Sequence, residues 1–178
     1  MSTHVALLRG INVGGRNKIP MADLRDLLVA LGFADAKSLL QSGNLVFRSD
    51  RRTGAKLEQL LEAETKKRFD LSIDFLVRSA IEWEAVVSRN PFPDAAKHDP
   101  SHLLVIFLKA TPAAKDVQAL QAAINGPEVV RADGNHLYAV YPAGIGDSKL
   151  TNTLIERKLG TRGTGRNWNT ILKLGTMT

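Results

Sequence analysis

Cysteine is absent from all 178 residues, which removes disulfide frameworks, thiolate metal sites and cysteine nucleophiles together. Aromatic residues make up only 6% of the chain, too few for the paired surface aromatics with which ferredoxin-like RNA readers stack bases. No run of eighteen apolar residues occurs, so nothing in the pattern predicts a membrane span. The opening apolar run Val5-Ala6-Leu7-Leu8 is closed at once by Arg9. It is shorter than the apolar stretch of a secretory signal, so a cytoplasmic location is expected. No Gly-x-Ser-x-Gly elbow is found, and the four histidines lie outside the motifs described below. Ser-His-Asp chemistry therefore has no support. His98 and His102 are four apart, but Pro100 interrupts the helix that would bring them together, and no metal site is expected. No cofactor is implied either.

Acidic residues are scarce toward the end. The chain carries a net charge of +6. Residues 101–178 hold nine basic side chains against five acidic ones, and no acid follows Glu156. Arg157, Lys158, Arg162, Arg166 and Lys173 crowd that final stretch. Such a basic segment attracts phosphate or nucleic acid; the competing reading is a solvated surface.

Apolar periodicity sets the expected elements. His4–Arg9 reads as a strand, and Pro20 introduces a helix with Leu24, Leu27, Leu28 and Leu31 on one face, stopped by Gly32. Lys37–Gln41 and Asn44–Arg48 read as a hairpin about Ser42-Gly43. Leu57, Leu60, Leu61 and Phe69 mark a second helix, and Ile73–Arg78 a strand. The order β-α-β-β-α-β is that of a ferredoxin-like unit. Ser79 and Glu82 make a capping box for a connecting helix, and the proline-rich segment 90–100 reads as a linker. The pattern then restarts: a strand over His102–Lys109, a helix opened by Thr111-Pro112, a hairpin about Asp133-Gly134-Asn135, a helix over Ser148–Leu159 and a last helix over Asn167–Leu174. An α+β protein of two tandem ferredoxin-like units with antiparallel sheets is predicted, one over residues 1–90 with its connecting helix and one over 101–178.

Three segments are specific enough to carry a resemblance. VALLRGINVGGRNKIPMADLR near the start, QSGNLVF in the middle and GRNWNTILKL at the end resemble the bacterial domain-of-unknown-function family 1697, in its order and spacing. Members often carry Val at the position of Leu45 and Ala at that of Gly165; neither difference removes a polar group. The resemblance implies duplicated ferredoxin-like halves and no assigned activity.

The same segments supply the candidate site residues. The loop after the first strand carries Arg9, Asn12, Gly14, Gly15, Arg16 and Lys18, where backbone N–H groups commonly receive an anion. Gly10 and Gly15 have phosphate-loop spacing, but Arg16 and Asn17 stand where that loop needs Lys and Ser/Thr, which excludes a nucleoside-triphosphatase. Gln41 and Asn44 suit turn chemistry and also stand ready to face the first loop. Arg166, Asn167 and Asn169 lie where a glycine-flanked loop is expected to enter a helix, offering an arginine fork and free N–H groups. Lys149 is expected at a helix start capped by Asp147 or Ser148, where a cation is disfavoured unless held for an anion. Together these residues point to a module binding an anionic small molecule or nucleic acid. One alternative is an enzyme working by electrostatic stabilisation on a phosphorylated or acyl substrate, with Asp147 as base. The other is a structural or protein-interaction role in which the asparagines and arginines tie loops together.

Overall fold

The computed structural model describes residues 1–50 and 54–178, and the chain divides into two units. The first comprises Met1–Ala85 with Leu174–Thr178, the second Val86–Lys173. Among the described residues there are two four-stranded antiparallel sheets and seven α-helices, the α+β architecture expected of tandem ferredoxin-like units.

In the first unit β1 (Ser2–Leu8), α1 (Met21–Ala30), β2 (Ala34–Leu39), β3 (Asn44–Ser49), α2 (Gly54–Phe69) and β4 (Phe75–Ser79) follow in turn. The strands lie in the order β2-β3-β1-β4. Alternate residues of the strands, Ala6 and Leu8, Leu45 and Phe47, Phe75 and Val77, pack with Leu24 and Leu28 of α1 and Leu57 and Leu61 of α2. Each leucine, valine or phenylalanine among them contributes about 1.5–3 kcal/mol when fully buried. Val5, Leu7, Val46 and Leu76 on the other sheet face are buried too. Burial on both faces is why these strands read as unbroken apolar runs instead of alternating ones. Pro20 stands at the N-terminal edge of α1 with φ −59°, and just past the C-cap Leu31 comes Gly32, whose φ of +80° suits glycine.

After α3 (Ala80–Ser88) and the short α4 (Pro93–His98), the second unit runs β5 (Leu103–Leu108), α5 (Ala114–Ala123), β6 (Val129–Asp133), β7 (His136–Val140), α6 (Asn152–Leu159), β8 (Gly163–Asn167) and α7 (Trp168–Gly175). Its strand order, β6-β7-β5-β8, repeats that of the first sheet. Ile106, Leu108, Leu137 and Ala139 pack with Leu120 of α5 and Ile155 and Leu159 of α6. The Ser79–Glu82 capping box is formed in both directions: Ser79 N donates to Glu82 Oε2 at 2.7 Å and Glu82 N to Ser79 Oγ at 3.2 Å.

Three expectations of the second unit need correction. Gly163–Gly165 is not a loop: Gly163–Asn167 pairs with β5 as an edge strand. A Cβ at Gly163 would stand 2.8 Å from Leu108 Cδ2 and from Phe107 O, so glycine here permits close strand packing. Helix α6 does not start near Ser148; Thr151 caps it, its side chain accepting from Leu154 N at 3.2 Å. Helix α5 starts at Ala114, without a side-chain cap, because Thr111 and Pro112 remain in the connection.

Candidate functional site

The loop between β1 and α1 is held by its own asparagines. Asn12 and Asn17 take left-handed backbone conformations, φ 53° and 48°, which Asn tolerates better than most residues. Asn12 Nδ2 donates to Ile19 O at 3.0 Å and to Gln41 O at 2.8 Å, and Asn12 Oδ1 accepts from Ile19 N at 2.9 Å. The side chain thus closes the base of the loop and ties it to the β2–β3 turn. Asn17 Nδ2 donates to Gly10 O at 3.1 Å, and Arg16 N to Val13 O at 3.1 Å closes the tip. Asn44, fully buried, donates to Leu39 O at 2.7 Å and Ser42 Oγ at 3.3 Å. Arg9 lies beside Asp74 (3.7 Å). Asn12 thus meets the backbone of Gln41, and Asn12 and Asn44 each act as backbone braces. Gly14, Gly15, Arg16 and Lys18 are exposed on the loop.

At the junction of β8 and α7, Arg166 is 8% exposed and its Nη1 donates to Thr164 Oγ1 and Gly165 O, both at 2.8 Å. Burial pulls its guanidinium down to about 10, since a charge removed from water is disfavoured. Asn167 Oδ1 accepts from Thr170 N at 3.0 Å, the expected cap, and Asn169 is exposed on α7. The first unit has a counterpart that the sequence did not single out. Arg78, next to last in β4 and paired with Val5 of β1, corresponds to Arg166, next to last in β8 and paired with Val105 of β5. Arg78 is also buried and donates to Val77 O at 2.9 Å, with Glu58 at 3.6 Å. Burial lowers its pKa, while Glu58 and Glu82 act to raise it.

A groove of about 580 Å³ in the second unit is lined by Lys109, Thr153, Glu156, Arg157, Gly160, Thr161 and Arg162. Its construction follows from the end of α6. Gly160, at φ 68°, stops the helix, and the chain turns back so that Lys109 N donates to Arg162 O at 2.9 Å. Ala110 N donates to Thr161 Oγ1 at 3.1 Å. Glu156 Oε1 accepts from Gly163 N (3.2 Å) and Asn152 Nδ2 (2.9 Å), fixing the start of β8. Three cationic side chains from the end of β5, from α6 and from the α6–β8 connection thus share a groove with one carboxylate and two hydroxyls. Lys109, Thr153 and Thr161 were not apparent from the sequence; the basic stretch from Arg157 onward was the only hint.

Lys149 lies two residues before the cap Thr151, outside α6. With Asp147, Ser148 and Glu128 it lines a separate recess of about 350 Å³. Among the described residues, no group of three metal-ligating side chains is assembled, and no helix is long and apolar enough to cross a membrane.

The comparisons agree with the architecture. Among solved structures, the conserved bacterial protein SP0830 from Streptococcus pneumoniae is similar, with a TM-score of 0.76 and 25% sequence identity over 99% of this chain and 98% of that one. No curated protein matches the chain. The family model described as Protein of unknown function (DUF1697) matches residues 1–138, and the chain belongs to that family.

Proposed function

We propose that this protein is a binding module for an anionic, phosphate-bearing ligand, such as a phosphorylated metabolite, a nucleotide or a nucleic-acid backbone, and that it works in the cytoplasm. The observation that carries the reading is the convergence of Lys109, Arg157 and Arg162 on one groove with the hydroxyls of Thr153 and Thr161. Arginine presents a planar fork of donors suited to phosphate oxygens, and lysine adds a compact charge. The basic lining outweighs Glu156, one oxygen of which already accepts from Asn152 and Gly163. Arg16 and Lys18 on the exposed loop of the first unit form a second basic surface of the same sign.

Binding is favoured over catalysis because Asp147, the carboxylate considered as a base, lines the recess near Lys149 and not this groove. The structural reading is favoured for Asn12 and Asn44 individually, by their bonds to backbone carbonyls.

A thermal-shift series tests the proposal, using inorganic phosphate, pyrophosphate, ATP, ribose 5-phosphate and poly-U at low salt. A ligand at a hundredfold excess over its dissociation constant adds about 2.7 kcal/mol, which raises the melting temperature by about 5–10 °C. Arg157→Ala with Arg162→Ala removes that shift. A melting curve indifferent to every anion, or a shift retained in the double variant, contradicts the groove.

A further inference from the structure

The recess around Lys149 has a different chemistry from the basic groove. It lies between the α5–β6 connection and the loop that precedes α6, and its volume of about 350 Å³ falls within the usual range for small-molecule sites, about 300–1,000 Å³. Ala123, Ile124, Pro127, Ala143, Leu150 and Leu154 form apolar walls.

Against those walls stands one oriented carboxylate. Ser148 Oγ donates to Glu128 Oε1 at 2.5 Å and accepts from Leu150 N at 3.1 Å. The hydroxyl is thereby fixed as donor to Glu128 and acceptor from the backbone. On the other side the Glu128 side chain folds over Gly126, where a Cβ would stand 2.3 Å from Glu128 Oε2. Glycine at 126 is what leaves room for the carboxylate in this position. The Ser148 bond and a backbone bond hold the Glu128 carboxyl below its ordinary value, so it is ionised at neutral pH. Both donors are neutral, so they orient the charge without cancelling it. Tyr141 steadies the wall, its hydroxyl donating to Leu150 O at 2.9 Å. Asp147 adds a second carboxylate to the lining, and Lys149 the one ammonium.

We propose that this recess binds a small amphipathic amine, with its apolar body on the walls and its protonated amino group on the carboxylate of Glu128. Two sources share that chemistry. A simple amine uses the walls and Glu128 alone; a free apolar amino acid adds a carboxylate that Lys149 meets. The occupant is opposite in charge to the ligand of the basic groove, and the proposal stands whether or not that groove binds phosphate.

The test is calorimetric titration of the intact protein at pH 7 with phenethylamine, L-phenylalanine and N-acetyl-L-phenylalanine. Phenethylamine or L-phenylalanine binds, and the N-acetyl compound, which lacks the ammonium, does not. Glu128→Gln keeps an acceptor for Ser148 but removes the charge, and weakens binding by roughly tenfold or more. Gly126→Ala keeps the charge but displaces the flexible end of Glu128, and weakens binding while the melting temperature stays close to that of the parent. Lys149→Met separates the sources: it weakens L-phenylalanine if the amino acid is the occupant, and weakens neither ligand if a simple amine is. Failure of both amines to bind in the millimolar range, equal binding of the N-acetyl compound, or unchanged affinity in Glu128→Gln overturns the proposal.

Discussion

Asn12 joins the two named segments of the first unit: its Nδ2 reaches Gln41 O at 2.8 Å while its amide also spans both backbone groups of Ile19. A second contact runs beside it. Gly43, at φ +88°, lies so close to Leu8 and Ile11 that a Cβ would stand 2.8 Å from Leu8 Cβ and from Ile11 Cδ1. The first loop and the β2–β3 turn are therefore braced by one amide and one missing side chain.

Asn12→Ala removes three hydrogen bonds and places alanine at a left-handed φ, so a loss of about 2–3 kcal/mol is expected in urea denaturation. Asn12→Gly relieves the backbone and loses less than the alanine variant. Gly43→Ala is expected to cost about 2–4 kcal/mol from overpacking and strain combined. A neutral effect of both alanine substitutions contradicts the bracing role.

The protein's two tyrosines give a direct optical test of the second unit. Burial pushes both phenols up to about 12, with Asp133 adding to the effect at Tyr138 and Glu128 at Tyr141. Tyr138 donates to Val86 O at 2.7 Å and Tyr141 to Leu150 O at 2.9 Å. Phenolate absorbance of the native protein should remain low past pH 10 and rise near 12, whereas in guanidinium it rises near 10. Between those values the native state holds more protons than the unfolded chain, so stability falls as pH rises. The loss amounts to about 2–3 kcal/mol per tyrosine.

His4 provides the acid counterpart. It is 5% exposed, stands 5.8 Å from the Phe47 ring, and its two ring nitrogens make no hydrogen bond among the described residues. Burial lowers its pKa below 6.5, with Glu82 acting the other way. Below pH 6.5 the unfolded chain takes up the proton first, so stability falls as pH drops through the interval down to the native value. His4→Leu should flatten this dependence in denaturation midpoints measured from pH 7 to pH 5. An unaltered pH profile in the variant assigns the acid sensitivity elsewhere.

Much of the fold was legible because its signals are local. Leu24, Leu27 and Leu28 fall at helical spacing, Ser79 and Glu82 carry their own capping chemistry, and Gly134-Asn135 turns between two apolar runs. Strand β8 was not legible: Gly163-Thr164-Gly165-Arg166-Asn167 has no apolar alternation, and only its partner β5 makes it a strand. The sequence points to a helix start at Ser148 because its hydroxyl suits a cap, yet that hydroxyl bonds Glu128, twenty residues away. The candidate sites were hidden for the same reason. Lys109 meets Arg157 and Arg162, and Glu128 meets Ser148, only after the second sheet has formed, and no spacing in the chain encodes such meetings.

The basic groove is the centre of this account, and amide NMR of the uniformly 15N-labelled protein titrated with pyrophosphate at low salt examines it residue by residue. Shifts concentrated at Lys109 and Ala110 and across Thr153–Gly163, abolished in Arg162→Ala, are the predicted result. An unchanged spectrum, or shifts confined to Val13–Lys18 of the first unit, contradicts it.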